Sequence, residues 1–322
     1  MSVLNQAHFQ DEISAFAKLE SLIWPNGPVC PHCGGKERIY TLQGVRSKPS
    51  KKNPEGVERP GLKKCGHCRK QFTVRVGTVF ESSHIPLHKW FQAVHLMCSS
   101  KKGISSHQLH RVLEIKYQSA WFMSHRIREA MRSGGLLSPM GGAGGIVEAD
   151  ETFIGKKTKI KGGGIHHKHA VLTLVSRDGE ARSFHIDRAN TENIMPIVRA
   201  NLAAEAKVVT DDAGHYRNLD KEFVHAFVNH SAGQYGRGEI HTNTIEGYYS
   251  IFKRGMKGVY QHCSEKHLHR YLAEFDFRYS NRIANGIGDS KRTENALRGI
   301  VAKRLTYRDS FPASGGKRTR TA

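Results

Sequence analysis

The chain carries only 29 acidic residues against 50 lysines and arginines, so carboxylates set inside apolar runs stand out. Asp150 lies within the β-prone run IVEADETFIG, and Asp211 closes the short run KVVTD. Glu246 follows Asp211 by 35 positions, in the helical stretch HTNTIEGYYSIFKR. A carboxylate buried in such a run is costly unless it holds a cation or a partner. Carboxylates converging on one point can bind hard divalent ions, and two ions about 4 Å apart can clamp the attacking and leaving oxygens of a phosphodiester. Lys253 follows Glu246 by seven residues, two helical turns, and so shares its face. Glu148 shares a strand face with Asp150 and could lie near the same ions, whereas Glu151 should point the other way. Asp212 is a rival to Asp211. His241, Asn243 and Tyr249 are equally balanced between nucleic-acid contact and local packing.

A second chemistry belongs to the cysteines. Cys30-Pro-His-Cys33 and Cys65-Gly-His-Cys68 are two CxxC pairs. Each spacing lets a tight turn aim two sulfurs at one ion, and two such knuckles complete a closed tetrahedral thiolate site for structural Zn²⁺. Gly34 and Gly66 suit those turns. His32 and His67 read as surface residues facing phosphate rather than as ligands. Cys98, on an apolar helical stripe, reads as core, and Cys263 is isolated.

The elements that must position these groups follow from pattern. A short amphipathic helix occupies 1–24, with Phe16, Leu19 and Leu22 on one side. The stretch 25–80 has β-prone runs RIYTL and QFTVRVGTVF around a loop at 43–60, and reads as a zinc ribbon. Between 81 and 132 the spacing turns helical: Leu87, Trp90, Phe91, Val94 and Met97 or Cys98 recur at i, i+3, i+4 and i+7. A second helix starts near Ser105 or Ser106, and a third runs from about Gln118 to Arg132. This last pair reads as a helix-turn-helix whose Gln118, Ser119, Ser124, His125 and Arg128 reach base edges and phosphates. Glycine-rich 133–145 is a linker. Within 146–300, strands and helices alternate: a hairpin turns at Arg177-Asp178-Gly179, and Asn190 or Thr191 caps the helix that follows. The tail 301–322 is basic.

A formal net charge of +21 makes nucleic acid the first partner to consider. No run of about 18 apolar residues offers a membrane span, and the first residues lack signal-peptide character, so a cytoplasmic, nucleoid-associated protein is expected.

The segments VEADETFIG, VVTDDAGHY and NHSAGQYGRGEIHTNTIEGYYSIFKRGMKGVY resemble the DDE transposases of bacterial insertion sequences, in the ISXO-like group with an amino-terminal zinc ribbon. The head segment QFTVRVGTVFESSHIPLHKWF is similar to that family as well. The likeness runs from about Trp24 to Arg282 and is weakest in the long loop between the knuckles. It implies an α/β fold, an RNase H-like mixed sheet flanked by helices. It implies that Asp150, Asp211 and Glu246 bind catalytic Mg²⁺ or Mn²⁺, with Lys253 holding DNA phosphate. The family pattern favours Asp211 over Asp212, because Asp211 sits five before Tyr216. It also implies terminal inverted repeats and target DNA as partners, and at least a dimer on DNA. The rival readings are a non-catalytic zinc-ribbon regulator and an RNase H-like nuclease that cuts without joining.

Overall fold

The computed structural model describes residues 2–51, 53–133, 137–157, 167–229 and 238–306. Part of the expected linker and most of the expected basic tail lie outside these. The chain divides into two compact units, one of 1–93, 110–130 and 300–322, the other of 94–109 and 131–299.

In the first unit, α1 (Ala7–Gln10) leads into α2 (Glu12–Ile23). The Asp11 carboxylate caps α2 by accepting from the Ser14 N–H at 2.7 Å. Ala15, Phe16, Leu19 and Leu22 then form its buried stripe. Strands β1 (Ile39–Thr41), β2 (Lys63–Cys65) and β3 (Gln71–Phe72) make a small antiparallel sheet. The β-prone run QFTVRVGTVF is strand only at Gln71–Phe72. Beyond it the backbone turns about Arg75, whose guanidinium donates to the carbonyls of Phe80 and Ser83. The long inter-knuckle segment folds back on itself, with Arg46 bridging Glu58 and the Ser47 N–H donating to the Val57 carbonyl at 2.7 Å. The helices α3 (Leu87–Ser99), α4 (Ser106–Leu113) and α5 (Tyr117–Met131) follow. The chain enters α5 through Glu114, which takes a left-handed φ of 52°.

The second unit is built on a mixed five-stranded sheet in the order β6-β5-β4-β7-β8. Its strands are β4 (Ile146–Ile154), β5 (His169–Ser176), β6 (Ala181–Ile186), β7 (Lys207–Asp211) and β8 (Val224–Val228). The first three pair antiparallel, while β7 and β8 run parallel to β4. The β5–β6 turn needs Gly179, at φ 105°, because a Cβ there would come within 2.3 Å of Asn285 Oδ1. Alternate residues of β4 serve different layers. Val147 and Ala149 pack with Ile194, Met195 and Val198 of α6 (Thr191–Asn201), capped by the Asn190 side chain. Ile154 faces the opposite layer, where Ile245, Tyr249 and Phe252 of α7 (Asn243–Gly255) meet Leu268 and Phe275 of α8 (Glu265–Ser280). A further helix, α9 (Asp289–Arg298), lacks a clear apolar period; its Arg292 is buried and donates to the Cys98 carbonyl at 2.8 Å. This mixed sheet with helices on both faces is an RNase H-like arrangement.

Candidate active site and metal centres

The cysteine site is assembled locally. The Gly34 N–H donates to the Cys30 carbonyl at 2.8 Å, closing the first knuckle with Gly34 at φ 72°. In the second knuckle the matching position is Arg69, at φ 59°. Gly66 has a different role from the one expected: a Cβ there would lie 2.9 Å from the Arg38 carbonyl oxygen. Cys30 Sγ stands 3.7 Å from Cys68 Sγ, and Cys33 Sγ 3.7 Å from Cys65 Sγ. Four thiolates bound tetrahedrally at about 2.3 Å would stand about 3.8 Å apart, so the cluster fits structural zinc. The backbone N–H of Cys68 pulls the Cys65 thiol down to about 7, whereas against the Gly35 N–H the neighbouring sulfurs push the Cys33 thiol up to about 11.

The acidic site is assembled over long range. The β4–β7 ladder ends at Glu148 and Val209, and Asp150 and Asp211 are the next pair on the same sheet face. Helix α7 lies over that face, where the Tyr249 hydroxyl donates to the Asp150 carbonyl at 2.6 Å. Glu246 is one turn before Tyr249 and Lys253 one turn after, both exposed on the stripe that Tyr249 anchors. Lys253 Nζ sits 5.5 Å from the centre of the Tyr249 ring. Burial, reinforced by the charges of Glu151 and Asp211, lifts the Asp150 carboxyl to about 7, while Lys253 opposes the rise. Burial also raises Asp211, against the Ala213 N–H that donates to its carboxylate at 3.1 Å.

Asp150 and Asp211 lie close enough for their charges to interact, but the three acids do not reach ligand spacing. Among the described residues, two groups of potential ligands gather within 4.8 Å: the four cysteines, and His169, His185 and Glu265. Asp150, Asp211 and Glu246 do not form such a group. Lys253 only partly offsets Asp150, as the Ala213 N–H and His215 do Asp211, and the Glu246 carboxylate accepts from the Thr242 hydroxyl at 3.0 Å.

Other carboxylates have structural employment. Glu148 is fully buried; it accepts from Arg177 Nε at 3.0 Å and from the Ile245 N–H at 2.9 Å. It therefore caps α7 in place of the Thr242 side chain, which makes no cap bond, and positions the helix that carries Glu246. Arg177 also donates to His241, which is thereby tied into this network. Glu151 turns to the opposite face, where the Tyr216 hydroxyl donates to it and His215 Nε2 lies at 2.9 Å. Burial works to lower the His215 pKa, but the Glu151 carboxylate outweighs it and raises it. The contacts of Arg177, His215 and Tyr216 with these acids escaped sequence reasoning, since only the folded sheet brings them together.

The stripe assigned to DNA on α5 needs correction. Gln118 is exposed and Ser119 half-buried, but Ser124, His125 and Arg128 are buried. Arg128 Nη1 donates to Ser124 Oγ at 3.1 Å, and the ring of His125 meets that of Trp121 at 4.3 Å. These three pack inside the protein rather than facing a groove. His32 and His67 are exposed beside the sulfurs, and Cys98 is buried.

Fold and sites together define an RNase H-like protein with a four-cysteine zinc ribbon at its head. Residues 142–280 match the ISXO2-like transposase domain, and residues 10–71 match the transposase zinc-ribbon domain. The chain therefore carries a region similar to the ISXO2-like transposase domain and one similar to the transposase zinc ribbon. It is 27% identical over 289 residues to an uncharacterised protein in transposable element ISH50 of Halobacterium salinarum, covering 84% of this chain and 91% of that one. A simian T-cell lymphotropic virus intasome in complex with the PP2A regulatory subunit B56 gamma aligns at 12% identity and a TM-score of 0.27, over 52% of this chain and 63% of that one. That likeness is too slight to bear on fold or function. No helix among the described residues is long and apolar enough to cross a membrane.

Proposed function

We propose that this transposase binds the terminal inverted repeats of its element, cuts DNA at their ends to release a 3′-hydroxyl, and joins that hydroxyl to target DNA. The observation that carries the reading is the Tyr249–Asp150 contact, which holds the Glu246–Lys253 stripe over the face shared by Asp150 and Asp211. Their all-oxygen donor set suits Mg²⁺ or Mn²⁺, and the raised Asp150 carboxyl marks a site whose ionised form a bound cation would favour. Asp150, Asp211 and Glu246 would hold the ions. When bound, such ions supply Lewis-acid stabilisation of charge on phosphate oxygens and a more acidic water.

The chain's own groups do the positioning. Glu148 and Tyr249 fix α7, and Lys253 offers an ammonium to a DNA phosphate on the Glu246 side. The zinc ribbon at 25–80 and the helices at 81–132 form the DNA-recognising head, with 146–300 as the catalytic domain; basic residues set the register and fewer side chains read bases. Gln118 and Ser119 remain as base or phosphate contacts on α5. The working unit is at least a dimer on paired DNA ends, acting at the nucleoid in the cytoplasm.

The test is Mg²⁺-dependent cleavage and joining of DNA bearing the flanking inverted repeats, by the native chain and by Asp150→Ala and Glu246→Gln. Loss of both products with DNA binding retained supports the proposal. Full activity in either variant overturns it. Cleavage without joined products would favour a nuclease, and binding without cleavage a regulator.

A further inference from the structure

We propose that His169, His185 and Glu265 form a second metal site, selective for zinc or a similar borderline divalent ion. His169 opens β5, and His185 lies on β6 opposite Val171, so the two imidazoles are diagonal neighbours on one sheet face, with ring centroids 5.4 Å apart. Glu265 begins α8, which packs on that face. His169 Nδ1 and His185 Nε2 stand 3.8 Å and 3.9 Å from the same oxygen, Glu265 Oε1. Both distances are too long for hydrogen bonds. Among the described residues, both nitrogens are nonetheless buried without a hydrogen-bond partner, and the His169 side chain is only 5% exposed. Two orphaned ring nitrogens aimed at one carboxylate oxygen are what a shared cation would satisfy.

Ligands at about 2.0–2.1 Å in a tetrahedron stand about 3.4 Å apart, so each imidazole nitrogen needs to close on the Glu265 oxygen by roughly half an ångström. Imidazole donors favour zinc, nickel or cobalt over magnesium. Glu265 is 58% exposed, leaving room for a solvent ligand in the fourth position. Lys157 is the opposing charge; its ammonium donates to the Asp187 carbonyl at 3.4 Å, and it should make this site weaker than the cysteine site. His169 lies four residues from Thr173, the partner of Asp150, about 13 Å along the strand, so the site is separate from the acids.

Co²⁺ substitution of the full-length protein tests this, because thiolate coordination gives sulfur-to-cobalt charge-transfer bands and the histidine site does not. With excess Mg²⁺ present to occupy the acid site, the native chain should take up two Co²⁺, the second adding d–d absorption without further charge transfer. His185→Asn should bind one, with the thiolate bands intact. Glu265→Gln changes an exposed first-turn residue, so it serves where His185→Asn misfolds; it should weaken the second site at least about tenfold. One Co²⁺ per native chain overturns the proposal, as does a second Co²⁺ bound equally well by native chain and Glu265→Gln.

Discussion

The cysteine site and the acid site follow opposite building plans. Each knuckle closes within a few residues, and the sulfurs stand 3.7 Å apart across the two pairs. The acids come from two strands and a helix, and their carboxylates stop short of ligand spacing. A closed thiolate site is thus written into local spacing and its geometry is nearly complete. The acid site is held as an electrostatic strain, which burial and like charges create and a cation would relieve.

The sharpest way to break the contrast is Cys65→Ser. Removing one of four thiolates should abolish stable zinc binding and unfold the ribbon, because structural zinc contributes on the order of 10 kcal/mol to such small modules. Zinc content and proteolysis of residues 25–80 read the outcome; a ribbon that stays folded without zinc would refute the local plan. Next in size is Glu148→Ala. It strands Arg177 and uncaps α7, and should cost about 3–5 kcal/mol in denaturant unfolding. A loss below about 1 kcal/mol would mean that α7 is positioned some other way.

A smaller effect reads the strain itself. The Asp150 carboxyl is raised to about 7, so its neutral form is favoured on folding. Its contribution to stability is fully present below the unfolded value near 3.8 and is lost as pH rises through about 7. Without divalent ions, unfolding experiments should therefore show stability falling between about pH 4 and 7. Asp276, lifted to about 7 first by burial, contributes with the same sign. Asp150→Asn should remove only part of the slope; an unchanged slope would mean that Asp150 is not strained. Smallest is Arg69→Gly. It relieves a left-handed φ of 59° in the second knuckle and should stabilise the ribbon by up to about 1 kcal/mol in thermal unfolding.

Much of the fold was legible because its cues are local. The CxxC spacing, the Asn190 cap and the Gly179 turn each act within a few residues, and each appears in the structure. Asp150, Asp211, Glu246 and Lys253 stand on the strands and the helix that their runs suggest. What the sequence hid depends on distant partners. The polar stripe of α5 looked like a groove-facing surface, but Ser124, His125 and Arg128 satisfy one another or pack on rings inside the protein. The run after Phe72 has β-prone residues, yet the Arg75 guanidinium draws it into a turn. Helix α9 has almost no apolar period, and its buried face uses Arg292. The pairing of His169 with His185 depends on β5–β6 register, which no single run encodes.

The central claim is that Asp150, Asp211 and Glu246 share divalent ions, and anomalous diffraction from crystals equilibrated with Mn²⁺ tests it most directly. The account predicts an anomalous peak within about 2.2 Å of carboxylate oxygens of both Asp150 and Asp211, with Glu246 drawn in toward the same ions. Mn²⁺ held by other side chains, with these two aspartates carrying none, would contradict it.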